Sequence, residues 1–165
     1  MSAGNTSKDG TGTYYALLVN SAGQLIVMPA GAIEQQSDIT ADNSDKTFTV
    51  PANYMWELLS IRVELTTTAT AGNRQLCIEI TDGTNVILKI IVGIVQAASL
   101  ARYYNFYKNA VDLTAFRDTS HLTTPLPADI VLLPGYKVRI YDNAAIAAAA
   151  DDMIVRMMVR KYNSA

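Results

Sequence analysis

The sequence is short of the residues from which most catalytic and metal centres are built. It contains one cysteine, Cys77, and one histidine, His121. One cysteine excludes an intrachain disulfide. One cysteine and one histidine on separate segments exclude zinc and iron–sulfur ligand sets on residue count alone. Charge is also scarce: 17% of the residues are charged, against about a quarter in typical soluble domains. The net charge of −2 gives no electrostatic footprint for nucleic acid or an anionic membrane, so neither is expected as a partner. No apolar run reaches the roughly eighteen residues of a membrane span. The longest, Val86 to Val95, is broken by Lys89 and Gly93. Met1 to Gly12 carries no apolar core of a secretory signal, and without secretion the Asn5-Thr6-Ser7 acceptor pattern has no consequence.

Other chemistry is missing by pattern. No glycine-rich phosphate loop follows a strand and opens a helix. Asp38, Asp42 and Asp45 do not match a calcium loop, which needs a glycine at its sixth place and a closing glutamate, so they read as a solvated polar linker. Asp118, Ser120 and His121 contain the residue types of a nucleophilic triad, but triads are defined by geometry and no nucleophile elbow is present. His121 reads as a loop or interface residue. Cys77 falls on the polar-facing side of a strand, where a small packed residue is favoured over a reactive thiol. Glu57, Glu64 and Glu79 alternate on strands with arginines nearby, the pattern of an ion-paired outer sheet face rather than a glycosidase carboxylate pair. No cofactor is implied, and no enzymatic activity.

What the sequence does hold is apolar, strand-forming residues. Half of its 165 residues are hydrophobic, enough for one domain with a real core. So few charges over so apolar a chain favour a surface covered by neighbouring subunits. The alternative is a monomer coated in uncharged Ser, Thr and Asn.

Met1 to Gly12 is expected to be a flexible arm. Thr13 to Val19 and Gln24 to Met28 flank Asn20-Ser21-Ala22-Gly23 and read as a β-hairpin that Pro29 ends. Ala30 to Asp45 is polar and reads as a linker, giving an N-terminal region 1–45 and a main domain 46–165. In that domain Thr47 to Val50 is a short strand. Met55 to Thr66 alternates with Leu59, Ile61, Val63 and Leu65 on the apolar side. Arg74 to Ile80 and Val86 to Val92 form a hairpin around Asp82-Gly83. Arg102 to Tyr107 is an aromatic strand, whose rings suit a core and interface better than a sugar platform. Lys108 to Pro127 reads as a long functional or covered loop. Ile130 to Leu133, Tyr136 to Tyr141 and Asp152 to Tyr162 complete the set, with one helical turn over Ala144 to Ala150. The result is an all-β, antiparallel, eight-stranded jelly-roll-like sandwich preceded by the hairpin and arm.

The hairpin Ala16 to Val27, and the segment Val50 to Thr66 in which Pro51 leads a turn into a long strand, resemble segments of small virion proteins of tailed bacteriophages. The resemblance implies a jelly-roll capsid decoration (cement) protein, forming a homotrimer on the phage head surface and binding the major capsid protein across neighbouring capsomers, after synthesis in the host cytoplasm. The alternatives are a tail or head-fibre component that binds a host glycan or receptor, and a small carbohydrate-active enzyme. The candidate capsid-docking or subunit contacts are Tyr14, Tyr15, Leu17, Leu25 and Val27 of the apolar hairpin, with Phe116, His121 and Leu122 of the long loop. A jelly-roll order counted from Thr47 further predicts Arg62 and Glu64 beside Arg139, and Glu79 beside Arg156 or Arg160.

Overall fold

The computed structural model describes residues 6–8, 14–16, 31–42, 45–113, 115–144, 146 and 150–163. The chain divides into two units, 1–30 and 31–165. In the first, β1 (Thr6–Lys8) pairs antiparallel with β2 (Tyr14–Ala16), Ser7 opposite Tyr15. Part of the expected flexible arm is therefore a strand, and it pairs with the first half of the expected hairpin. The second half, Gln24 to Met28, lies outside the described residues.

The second unit contains β3 (Ala32–Asp42), β4 (Lys46–Thr49), β5 (Tyr54–Thr66), β6 (Leu76–Thr81), β7 (Val86–Ile91), β8 (Ala101–Lys108), β9 (His121–Leu126), β10 (Val131–Leu132), β11 (Lys137–Asp142) and β12 (Asp152–Asn163). They form two sheets. One runs β3-β12-β5-β8-β9, with β10 added on β5; the other runs β4-β11-β6-β7. All pairs are antiparallel except β8 with β9. A single hydrophobic core draws on both sheets, with Leu58, Val63, Phe106 and Val155 from the larger and Ile78, Ile80, Val138 and Ile140 from the smaller. The fold is all-β and sandwich-like.

The long strands follow from period-two patterning. In β12, Val155, Met157 and Val159 are buried while Arg156 and Met158 are exposed, as the alternation predicts. In β5 the pattern changes phase. Trp56 and Leu58 are buried, then Ile61, Val63 and Leu65. The pairing with β12 explains it: Met158 opposes Ser60 but Val159 opposes Leu58, which leaves Leu59 as the extra residue of a β-bulge. Leu59, expected inward, is therefore only half-buried. The Asp82-Gly83 turn behaves as read: Gly83 takes a φ of 100°, where a side chain is strained, and Gly135 takes 83° between β10 and β11.

Two segments depart from expectation. The linker Ala30 to Asp45 contains the eleven-residue strand β3, which pairs with β12 along most of its length. The loop Lys108 to Pro127 contains β9, running parallel to β8. Because β3 precedes the strand expected to be first, β4 to β8 each move by one position, while β11 and β12 keep theirs. Arg139 and Glu64 lie on different sheets, as do Glu79 and Arg156, so the expected pairs do not form. Arg62 instead opposes Arg156, and Arg139 opposes Glu79. The alanine-rich segment expected as a helical turn lies largely outside the described residues.

Candidate functional site

The outer face of the smaller sheet is a charge ladder. Thr47, Arg139, Glu79 and Lys89 stand side by side on β4, β11, β6 and β7. Arg139 Nη2 lies 2.5 Å from Asp45 Oδ2, and its Nη1 lies 3.8 Å from Glu79 Oε1. The Tyr141 hydroxyl donates to Glu79 at 3.2 Å, and Arg139 and Lys89 both lie over its ring. Exposed pairs of this kind add roughly 0.2–1 kcal/mol each. Their effect is to leave this face neutral and polar. Cys77 sits on the same side, between Tyr141 and Ile91, fully buried. Burial pushes its thiol above the ordinary range, which removes the thiolate that reactivity requires.

One rim of this sheet differs. Among the described residues β7 pairs with β6 alone, and its Val86, Ile87 and Ile91 are exposed, as is nearby Val95. Leu88 and Ile90 turn toward the core. The rim therefore presents both unpaired backbone groups and large apolar side chains, which natural edge strands ordinarily avoid.

The outer face of the larger sheet is ordered by register. One row contains Ser37, Arg156, Arg62, Asn105 and Thr123; the next contains Ile154, Glu64, Tyr103 and His121; on the other side lie Met158, Ser60, Tyr107 and Pro125. Arg62 lies over the Tyr103 ring at 5.1 Å, and Tyr103 stacks on His121 at 4.8 Å between centroids. At the end of this face Glu57 collects Lys108 at 2.6 Å, Arg160 at 2.7 Å and the Tyr162 hydroxyl at 3.0 Å. The Lys108 ammonium, followed by Tyr162 and Arg160, holds Glu57 below its usual range against the opposing effect of burial.

The residues singled out from sequence scatter. Tyr14 and Tyr15 lie on β2 of the first unit, and Leu17, Leu25 and Val27 lie outside the described residues. Leu122 is fully buried in the core opposite Tyr104, so it has no surface to offer a partner. Phe116 is partly buried against the core, edge-on to Tyr104 at 6.0 Å and beneath the Arg102 guanidinium at 4.8 Å. Of Phe116, His121 and Leu122, only His121 is on an open face. Its Nδ1 lies 2.9 Å from Asp118 Oδ2, while Asp118 Oδ1 accepts the backbone N–H groups of Ser120 and His121 at 2.6 and 2.8 Å. Those backbone bonds lower the Asp118 pKa. The Ser120 hydroxyl meets Thr119, not the imidazole, so the three residues form a capped turn rather than a nucleophile relay.

Sequence reasoning missed the buried polar residues. Arg74, fully buried, donates from Nε to Asp151 Oδ2 at 2.6 Å and from Nη2 to Asp151 Oδ1 at 3.1 Å; Nη1 caps the carbonyls of Thr70 and Gly72. Asp151 also accepts the Thr68 N–H and hydroxyl. Gln96 donates to the Leu65 and Leu100 carbonyls and accepts the Tyr104 hydroxyl at 2.9 Å. These contacts fix the loops at one end of the sandwich. Their partners are far apart in sequence, which leaves no local signal. Among the described residues no group of three or more His, Cys, Asp or Glu is placed to hold a metal, and no helix is long and apolar enough to cross a membrane.

No protein-family model matches the chain. A comparison with curated proteins finds no match to its sequence.

Proposed function

We propose that this chain is a non-enzymatic structural protein of a virus particle, and specifically a decoration or cement protein that binds across neighbouring capsomers of a tailed-phage head. The observation that carries the reading is the β7 rim, where Val86, Ile87 and Ile91 stand exposed on an edge that no further described strand pairs. A strand edge of this character is a template for another chain.

Strand order supports the architecture. Counting β3 to β8, β11 and β12 as eight, the sheets run first-eighth-third-sixth and second-seventh-fourth-fifth. That order supports a jelly-roll reading, in which β9 and β10 are additions between the sixth and seventh strands. Jelly rolls serve in capsids and in lectins, so the fold supports the class of function by analogy only. On this reading the β7 rim joins subunits into a trimer, through an interface above roughly 2,000 Å² in total, and the trimer docks on the major capsid protein. Only the assembled shell presents the docking site, so binding opposes capsomer separation. Trimerisation multiplies weak contacts.

Quantitative mass spectrometry of purified particles tests the proposal. A copy number comparable with the number of capsomer junctions supports it. A handful of copies points to a tail or head fibre instead, and absence from the particle rejects both.

A further inference from the structure

Arg62 and Arg156 stand directly opposite one another on β5 and β12, and both are exposed. Like charges in opposed cross-strand positions destabilise a sheet. The same face contains the remedy elsewhere: Arg160 opposes Glu57 and is paired with it at 2.7 Å. Neither Arg62 nor Arg156 makes an ion pair with a described residue, whereas Arg74, Arg139 and Arg160 all do. Arg62 instead lies over Tyr103, which stacks on His121. A line of two guanidinium groups and two rings therefore crosses β12, β5, β8 and β9. Asn105 lies beside Arg62, and Tyr107 follows on the same side of β8, with 43% of its surface exposed. Glu64, Asp152 and Asp118 are the carboxylates nearest this line in register or contact.

We propose that this line is a binding site for a carboxylate-bearing saccharide chain. The two arginines stand opposite on adjacent strands, roughly 5 Å between their Cβ atoms, within reach of one carboxylate, and each presents a fork that matches it. Tyr103 and Tyr107 lie roughly 13 Å apart along β8, so an extended chain laid on this strand meets the edge of Tyr103 and the ring of Tyr107, with the Asn105 amide between them. The exposed ring of Tyr107 suits the apolar face of a sugar ring, Tyr103, covered by Arg62 and His121, holds the Arg62 guanidinium in place, and Glu64 supplies an acceptor for hydroxyl groups. Nucleic acid fits less well, because a phosphate backbone calls for a longer series of cations and fewer carboxylates among them. The inference stands apart from the capsid reading, since it concerns the larger sheet and not the β7 rim.

The test is titration of the purified full-length protein with polygalacturonate and polysialic acid by calorimetry, with dextran, heparin and polyglutamate as comparison polymers. Saturable binding to either carboxylated polysaccharide is expected, with none to dextran. The double variant Arg62→Gln/Arg156→Gln, and separately Tyr103→Ala, is expected to weaken binding about tenfold or more. The arginine variant should keep or raise its melting temperature, because it removes a repulsion, so lost binding is not lost folding. Absence of binding to both carboxylated polysaccharides overturns the proposal. Equal binding to polyglutamate overturns it in favour of an acidic peptide, and equal binding to heparin in favour of unspecific ion exchange.

Discussion

Lys46 Nζ on β4 lies 2.5 Å from Asp42 and 3.4 Å from Asp38 on β3, so a lysine with no exposed surface ties an edge strand of one sheet to an edge strand of the other. Its ammonium also donates to the Thr40 carbonyl at 3.0 Å. The clamp belongs to a strand whose core-side positions are polar. Glu34, Gln36 and Asp38 oppose Val159, Met157 and Val155 on β12, while Ile33 and Ile39 point outward. Glu34 is matched by Lys161 at 3.1 Å. Inward charges on an edge strand discourage pairing with other chains. Both carboxylate partners of Lys46 are about 40% exposed, so the clamp closes over the margin of the core.

Lys46→Met should therefore cost about 1.5–3 kcal/mol, the value of hydrogen bonds to a charged group, and it should do so locally. Hydrogen exchange is the measurement. Amides of β3 are expected to lose protection while those of β6 and β11 keep theirs. Uniform loss across both sheets would mean that Lys46 supports the whole fold and not the β3 edge.

The Leu59 bulge separates two readings of β5. With the bulge, Leu58 fills the core and Leu59 does not. Leu58→Ala should then cost about 2–5 kcal/mol, and Leu59→Ala clearly less, by urea unfolding. The opposite ranking would restore the uninterrupted alternation that the sequence suggests.

Asp151 titrates against its surroundings. Burial alone would raise its pKa, but Arg74 and the Thr68 donors outweigh burial and lower it. A carboxyl group depressed on folding contributes stability above its unfolded pKa, and that contribution is lost as pH falls through the folded value. Acid unfolding should thus include a component below the ordinary aspartate range. Asp151→Asn should remove this component and cost roughly 3–5 kcal/mol at neutral pH, because Arg74 is left buried and uncompensated. An unchanged acid limb in the variant would contradict this.

Cys77 should be inert in the folded protein. Its thiol is buried and its pKa is raised by that burial, ahead of the smaller influences of Lys89, Asp142 and Glu79. A thiol reagent at mildly alkaline pH should label it only after denaturant is added. Rapid labelling of the native protein would show that the Tyr141 and Ile91 cover opens readily.

The strands legible in the sequence, β4 to β8 and β10 to β12, are those that turn apolar residues to the core. β3 was not, because its core-side residues are polar and its isoleucines face out, which inverts the pattern that marks a strand. β9 was hidden by Pro125 and by the threonines Thr123 and Thr124. A proline is tolerated there because β9 is an edge strand. The opposition of Arg62 and Arg156 depends on the register of two strands remote in sequence, one containing a bulge, and no local pattern encodes it. The exposed apolar character of Val86 to Ile91 was visible as composition, but that its free edge is a sheet rim required the topology.

The central claim is adhesion to an assembled particle, and saturation binding tests it most directly. Purified protein is added to phage particles made without it, the target on the proposed function, and bound protein is measured against free. The account predicts saturable binding at a stoichiometry fixed by the capsomer junctions, and a raised temperature of genome release in the decorated particles. Binding should weaken when Ile87 and Ile91 are replaced by threonine to disrupt the β7 rim. No binding to the particles, or equal binding to dissociated capsid subunits, would contradict it.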